Sequence, residues 1–407
     1  MKEDFKYKCD SCGRIYGIEK DLMLCPHCRE DNPEGRPLKG VLKVMLPEGL
    51  KQSLNEKEKQ NIFNFLPVEE KYFPSISVGN TPLVEAENIQ KESGFQSIYL
   101  KFDGSNPTGS FKDRASYLVS AFAKKNNINE IVVASTGNAA SSMAGIAAAA
   151  GQKAFIFMPE SAPKAKLVQC LQYGAELIPV KGNYDRAFDL SLKFSQRKGF
   201  LSRNTAYNPM TIEGKKTVSF ELNSQLQGKG IDYLFLPVGD GVVLSGVIKG
   251  FTDLKLMGML DRIPKIIGVQ SDKSSFVYNA FCYNRFEFDY KASTIADSIS
   301  VNVARNCYSA VKDLKDVEGE MTLVSDEEIL YAQNKLSRMS GIFCEPSSAA
   351  SFAGFLKLSE HIPKNKTVVL LLTGHGLKDI DSALKSVKFP KAFEADIDYI
   401  IDNLNLQ

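Results

Sequence analysis

Lysine is common in this chain, and most lysines are solvated surface charges, so Lys112 is distinguished only by its setting. The run Asn106-Pro107-Thr108-Gly109-Ser110-Phe111-Lys112-Asp113-Arg114 opens with turn residues and continues into an apolar helix face. An ammonium in the first turn of a helix loses free energy against the positive end of the helix dipole. A partner such as a bound anion, or an aldehyde with which the lysine forms an imine, would account for it; an ordinary exposed loop lysine is the plainer alternative. A second run, Gly239-Asp240-Gly241-Val242-Val243, follows an apolar strand pattern and precedes a helix, so its amides can cradle a phosphate. A nucleotide-binding loop would look similar.

A different chemistry is written at the N-terminus. Cys9-x-x-Cys12 and Cys25-x-x-Cys28 are two knuckles separated by twelve residues, with Gly13 and Pro26 in turn-forming places. Two knuckles close a four-thiolate tetrahedral site with no open position, which predicts a structural zinc ion. Two chance pairs, or catalytic redox cysteines, are the alternatives, and the second lacks a thioredoxin-like βαβ context. His27 lies inside the second knuckle and reads as a neighbour rather than a ligand.

These residues need elements to hold them. Short apolar or β-branched runs at Ile98–Phe102, Ile131–Ser135, Ala154–Met158, Leu177–Val180, Tyr233–Val238, Ile266–Gln270 and Thr367–Leu372 alternate with longer helix-like segments. Strands apolar throughout and joined by helical crossovers predict an α/β fold with doubly wound, mostly parallel sheets covered on both faces. The Ala-, Ser- and Gly-rich segment 138–150 predicts a close-packed helix ending at Gly151. The expected division is a ribbon over 1–45, a large α/β domain from 46–114 and 201–407, and a small α/β domain over 115–200.

Composition bounds the partners. The 407 residues are 43% hydrophobic and 24% charged, with a formal net charge of +2, so nothing in the electrostatics points to nucleic acid or an anionic membrane. The N-terminus is charged and has no signal-peptide core, and the run Val368–Leu372 is far too short to span a bilayer. Of eight cysteines, Cys170, Cys282, Cys307 and Cys344 are scattered, which suits a reducing compartment. The expectation is a cytoplasmic protein acting on small molecules.

Four separated motifs carry a family resemblance: Asn106 to Arg114, Ser135-Thr136-Gly137-Asn138-Ala139-Ala140, Glu345-Pro346-Ser347-Ser348-Ala349-Ala350, and Thr373-Gly374-His375-Gly376-Leu377-Lys378-Asp379. From about Gly79 to Val387 the chain resembles the fold-type II pyridoxal-phosphate enzymes, most closely the threonine synthase family, some members of which also carry an N-terminal zinc-ribbon-like segment. The resemblance implies a tryptophan synthase β-like fold and a homodimer. It implies that Lys112 holds the cofactor as a Schiff base and then moves protons at Cα and Cβ. Asn138 would hydrogen-bond the cofactor 3′-oxygen, Gly239, Asp240, Gly241, Val242 and Val243 would receive its phosphate, and Thr373 would be a neutral partner of the pyridine nitrogen. Ser135, Thr136 and Ala139, between a strand and a helix N-terminus, would hold the substrate α-carboxylate; the same turn is also a good helix cap. His375 and Lys378 receive no role.

The activity implied is conversion of O-phosphohomoserine and water to threonine and phosphate. Family members commonly place an arginine where this chain has Thr211, and an Asn-Ser pair where it has Thr205-Ala206. Lys166, Arg203 and Lys215 are therefore the candidate cations for the substrate phosphate, with Lys164 beside them. Family members also carry an Asn-rich glycine loop where this chain has Asp240 and two valines, so contact with a phosphate there must be largely through backbone. The stretch Thr294 to Ile299 is similar to the dehydratase side of the group, so an ammonia-lyase or a β-replacement synthase on an unphosphorylated amino acid is the alternative. A nucleotide-binding oxidoreductase and a catalytically silent ribbon protein are the readings from other classes.

Overall fold

The computed structural model describes residues 4–33, 35–162, 164–226, 229–286 and 291–403; the side chains of residues 165 and 166 lie outside the described part. Thirteen strands are present among these residues: β1 (Lys6–Cys9), β2 (Ile15–Gly17), β3 (Leu42–Met45), β4 (Leu83–Glu85), β5 (Ser97–Phe102), β6 (Glu130–Ala134), β7 (Lys153–Pro159), β8 (Glu176–Val180), β9 (Leu201–Ser202), β10 (Tyr233–Pro237), β11 (Lys265–Ser271), β12 (Glu320–Val324) and β13 (Thr367–Leu372). They form three sheets, ordered β2-β1-β3, β12-β11-β10-β13-β5-β4 and β8-β7-β6-β9. The four-stranded sheet is parallel throughout, and the six-stranded sheet is parallel except where β4 runs antiparallel on its edge. All seven strands read from apolar runs are found, with ends moved by a residue or so. β4, β9 and β12 and the three ribbon strands were not read, because they are short or alternate between buried and exposed residues.

The central strands β10, β13 and β5 are buried almost end to end, as parallel strands covered by helices on both faces must be. Their C-terminal ends, with that of β6, all open on one cleft. β5 leads through residues 103–111 into the helix Lys112–Lys125, β6 into the helix Asn138–Ala150, and β10 into the helix Val242–Leu256, while β13 ends beside Thr373. The helix Asn138–Ala150 ends at Gly151, which takes a left-handed φ of 67°.

Two devices fix the loop that carries Lys112. Arg114 is fully buried and forks onto Asp103 (2.5 and 2.9 Å) and Glu221 (2.6 and 2.8 Å), and Lys101 adds a third contact to Glu221 at 2.8 Å. Burial would raise the Glu221 carboxyl, but Arg114 and Lys101 hold it at about 2, so Glu221 stays ionised at any physiological pH. The second device is a backbone crossing. The helix Met210–Lys215 meets the helix Lys112–Lys125 so closely that a Cβ on Gly214 would lie 2.3 Å from the Arg114 carbonyl oxygen.

The ribbon is packed onto the large sheet's helices. Lys43 is bound by Asp10 at 3.1 Å and by Asp313, Ser309 donates to Asp10 at 2.6 Å, and the Leu38 amide donates to the Arg305 carbonyl at 2.8 Å. Val41 and Leu38 close a small apolar cluster with Ala206, Ile212 and Val242. No helix among the described residues is long and apolar enough to cross a membrane.

The crossing at Gly214 gives a direct test. Gly214→Ala places a methyl against backbone that cannot swing aside, and overpacking of this kind costs about 1–3 kcal/mol. Chemical denaturation should show the midpoint falling with an unchanged slope; wild-type stability would mean the crossing is looser than described.

Candidate active site

A cleft of about 430 Å³ lies between the four- and six-stranded sheets. Lys112, Ser135, Thr136, Asn138, Ala139, Arg203, Gly239, Asp240, Val243 and Thr373 all line it. Gly241, Val242 and Lys215 do not face it; they are buried directly behind. Lys166 has no described side chain. Residues to which the sequence assigned no site role complete the wall: Tyr184, Asp185, Ser298, Arg305 and Glu345, of which Ser298 and Glu345 lie in stretches already named.

The floor is a concentration of charge. Lys112 opens its helix, and burial pushes its ammonium below the ordinary lysine value, with Asp240 and Glu345 opposing that shift and Arg203 adding to it. Burial likewise lowers Lys215 well below the ordinary value, and the positive charges of Lys112 and Arg203 lower it further. Burial brings Arg203 down to about 10, against the support of Asp240 and Asp113, so it remains charged at neutral pH. The Arg203 fork donates weakly to Ser116 Oγ at 3.2 Å and the Lys112 carbonyl at 3.4 Å. Its Nη1 and the Lys215 Nζ are buried with no hydrogen-bond partner among the described residues. Unsatisfied buried cations are costly, and two of them beside one loop signal a site made for an anion.

That loop is Gly239–Val243. Gly239 approaches the backbone of Ile299 so closely that a Cβ would lie 3.2 Å from its Cα, and Gly241 has φ of 91° with Ala310 Cβ 2.6 Å from where its own Cβ would be. Glycine is needed at Gly241, where a positive φ and a clash coincide, and at Gly239 a side chain would crowd the Ile299 backbone. The Asp240 carboxylate accepts from the Val242 amide at 3.0 Å, so it caps the helix N-terminus with negative charge where a phosphate would find its donors. This acidic side chain also stands within electrostatic reach of all three cations.

On the opposite wall, Asn138 Nδ2 donates to both oxygens of Glu345 (3.2 and 2.9 Å) and to Ser298 Oγ at 3.0 Å, and Ser298 Oγ donates to Glu345 at 3.2 Å. Burial raises the Glu345 carboxyl despite these donors. Thr373 Oγ1 lies 3.2 Å from Ser348 Oγ, and the Thr373 carbonyl accepts from the Phe111 amide at 2.7 Å, which ties the end of β13 to the Lys112 turn. Gly137 caps the helix Asn138–Ala150 without a side chain of its own, leaving that end open to a carboxylate. His375 is occupied structurally: its Nδ1 accepts from the Leu377 amide at 3.1 Å.

Thr211 is fully buried, donates to the Asn208 carbonyl at 2.7 Å, and does not line the cleft. The missing family arginine is thus not replaced by anything on the same helix that reaches the cleft.

The four ribbon thiols converge. All four Sγ atoms lie within 4.8 Å of one another, with Cys9–Cys28 at 3.9 Å and Cys12–Cys25 at 3.7 Å. A tetrahedral zinc with bonds of about 2.3 Å requires sulfur separations of about 3.8 Å.

Residues 75–374 match the family described as pyridoxal-phosphate dependent enzyme. A threonine synthase of Methanocaldococcus jannaschii is 34% identical over 97% of this chain and 98% of its own length. One from Bacillus sp. (strain ULM1) is 38% identical over 84% and 96%. Among solved structures, the processed threonine deaminase isoform 2 of Solanum lycopersicum superposes with a TM-score of 0.66 at 23% identity, covering 76% of this chain and 88% of that one.

The orphaned ammonium predicts its own removal. With the folded-state proton affinity of Lys215 below the unfolded one, the unfolded chain binds more protons, and the penalty is full below the folded value. It fades as pH climbs toward the ordinary lysine value near about 10.4. Lys215→Met should therefore stabilise ligand-free protein by about 1–4 kcal/mol at neutral pH, with the gain shrinking in melts at higher pH, while affinity for a phosphate-bearing ligand falls. A destabilised variant would contradict this reading.

Proposed function

As a member of the pyridoxal-phosphate-dependent enzymes, among which it belongs with the threonine synthases, the chain is a lyase acting on an amino acid, and we propose that it converts O-phosphohomoserine and water to threonine and phosphate in the cleft around Lys112. The observation that carries the residue assignment is the pair of unpartnered cationic groups, Lys215 Nζ and Arg203 Nη1, beside a glycine loop at a helix N-terminus. These fit the cofactor phosphate, whose charge would satisfy both. When bound, pyridoxal phosphate supplies an electron-withdrawing ring that accepts charge from the substrate Cα.

The remaining chemistry falls to the chain's own side chains. Lys112 Nζ, its proton affinity lowered by burial, is the base that stands at the substrate Cα. It takes the Cα proton and a Cβ proton and returns protons to Cγ and Cα, as phosphate leaves Cγ and water adds its oxygen at Cβ and gives up its second proton to the departing phosphate. Ser135, Thr136 and Ala139 hold the α-carboxylate at the N-terminus of the helix Asn138–Ala150. Asn138 would hold the cofactor's 3′-oxygen with the donor capacity it directs at Glu345. Thr373 would offer the ring nitrogen a hydroxyl, which would not enforce its protonation and so would disfavour transamination relative to elimination and replacement.

The same reading assigns zinc to Cys9, Cys12, Cys25 and Cys28, the ribbon to 1–45, the large domain to 46–114 with 201–407, and the small domain to 115–200. The scattered Cys170, Cys282, Cys307 and Cys344, none of them in a disulfide, support a cytoplasmic setting, and exposed apolar side chains such as Leu377, Leu384 and Phe389 support a homodimer.

Purified protein should be yellow, and borohydride should fix the cofactor on Lys112; Lys112→Ala should lose that link and nearly all turnover. Threonine and phosphate should appear in equal amounts from O-phosphohomoserine. A keto acid and ammonia from serine or threonine, with O-phosphohomoserine inert, would make the enzyme an ammonia-lyase instead. Elemental analysis should find one zinc per chain, and replacing Cys9 and Cys28 with serine should release it and increase amide exchange across residues 36–41. Reduced thiols without metal in protein prepared free of chelator would refute the zinc site.

A further inference from the structure

Arg305 stands at the junction of the cleft's two halves. Its Nη2 pairs with Asp185 Oδ1 at 2.6 Å, and its guanidinium lies over the Phe188 ring, 5.0 Å from the centroid. Asp185 and Phe188 belong to the helix Tyr184–Lys198, which packs on the four-stranded sheet, whereas Arg305 precedes the helix Cys307–Asp316 on the six-stranded side. The ribbon holds the arginine from behind, since its Nη1 donates to the Arg36 carbonyl at 3.4 Å and its own carbonyl accepts from the Leu38 amide.

The substrate named above carries a phosphate of its own, separate from that of the cofactor. Among the described residues that line the cleft, the cations are Lys112, Arg203 and Arg305. Lys112 is the reacting amine, and Arg203, with Lys215 behind it, clusters about Asp240 at the cradle. Neither is left over for a second anion. Thr211 is sealed in the core. Arg305 is the remaining guanidinium, and its present partner Asp185 is about one-third exposed, so the pair can open without stranding a carboxylate away from water.

We propose that Arg305 is the specificity residue for the substrate's phosphate, exchanging Asp185 for a bidentate contact to it. This rests on the reading of the substrate as O-phosphohomoserine. A planar fork matches two phosphate oxygens, and a dianion competes well against a carboxylate whose pairing is weakened by solvent. Because Asp185 lies on the opposite half of the cleft, the exchange trades a contact between the halves for one made through the substrate.

The test uses holoenzyme and three probes: O-phosphohomoserine as substrate, inorganic phosphate read by its effect on the cofactor absorption band, and homoserine as an inhibitor without phosphate. Arg305→Gln should raise KM for O-phosphohomoserine and weaken inorganic phosphate binding by about 10-fold or more, the loss expected for a charge-assisted contact. Inhibition by homoserine should be little changed and the cofactor band retained. Arg305→Lys should recover part of the loss, and Asp185→Asn should leave phosphate binding intact or tighten it. Equal loss of phosphate and homoserine binding in Arg305→Gln would show a merely structural role and overturn the proposal, as would phosphate binding that does not move. Wild-type protein that leaves O-phosphohomoserine untouched would defeat the substrate assignment, while the inorganic phosphate arm would still decide whether Arg305 binds that anion.

Discussion

Three basic side chains, Lys112, Arg203 and Lys215, share one buried floor with Asp240, and two of them present nitrogen atoms that nothing among the described residues satisfies. Taking an ionised group out of water costs several kcal/mol even after relaxation, so this arrangement is tolerable only because stability is supplied elsewhere. The network of Arg114, Asp103, Glu221 and Lys101 and the tight crossing at Gly214 hold the Lys112 turn in place from behind. The protein is preorganised for negative charge at the expense of the empty state. Asp240 moderates the expense by lending its carboxylate to the helix end, which makes the acidic residue in a phosphate loop intelligible: it substitutes for the anion rather than opposing it.

The same constraint explains the ribbon's position. Val41 and Leu38 pack against Val242, the Leu38 amide binds the carbonyl of Arg305, and the Asn306 amide donates to the Asp240 carbonyl at 3.1 Å. A loop around a buried charge is therefore braced from outside by a unit in which four thiols converge and whose Phe5, Tyr7, Leu42 and Val44 join a large apolar cluster. A segment of this size cannot bury much core alone, and its attachment at Asp10, Lys43, Ser309 and Asp313 is polar and specific.

Much of this was legible in the sequence where the signal is local. The Lys112 turn, the glycine loop, the paired knuckles and the continuous apolar strands are each contained in a dozen residues or fewer. What the sequence withheld is the product of distant segments meeting. Glu345 was visible as part of a motif, but its bond to Asn138 spans 207 positions. The neighbours Lys215 and Lys216 look like surface charges, yet both are fully buried, because Gly246 and Gly250 let the next helix approach them. Arg305 and Asp185 carry no local signature at all, being two ordinary charges until the fold sets them across one cleft. Thr211 stands where the resemblance leads one to expect an arginine, and only the structure shows it facing the core, so that a cation for that role must come from another element.

Dividing the positive charge between the floor and the junction of the two halves has a consequence for order of events. The floor cations are buried, lie closest to the glycine loop and have the largest unsatisfied demand, so the first phosphate to enter is drawn there and is held by groups that do not move. Arg305 already has a partner and a partly exposed one, so it presents little net charge to solvent and does not compete for that first anion. Once the floor is neutralised, the field reaching the mouth is weaker, and an incoming phosphate is recognised by geometry at a fork rather than by bulk attraction. Two anion sites in one small cleft can be kept distinct in this way, one specified by burial and the other by an ion pair that exchanges its partner.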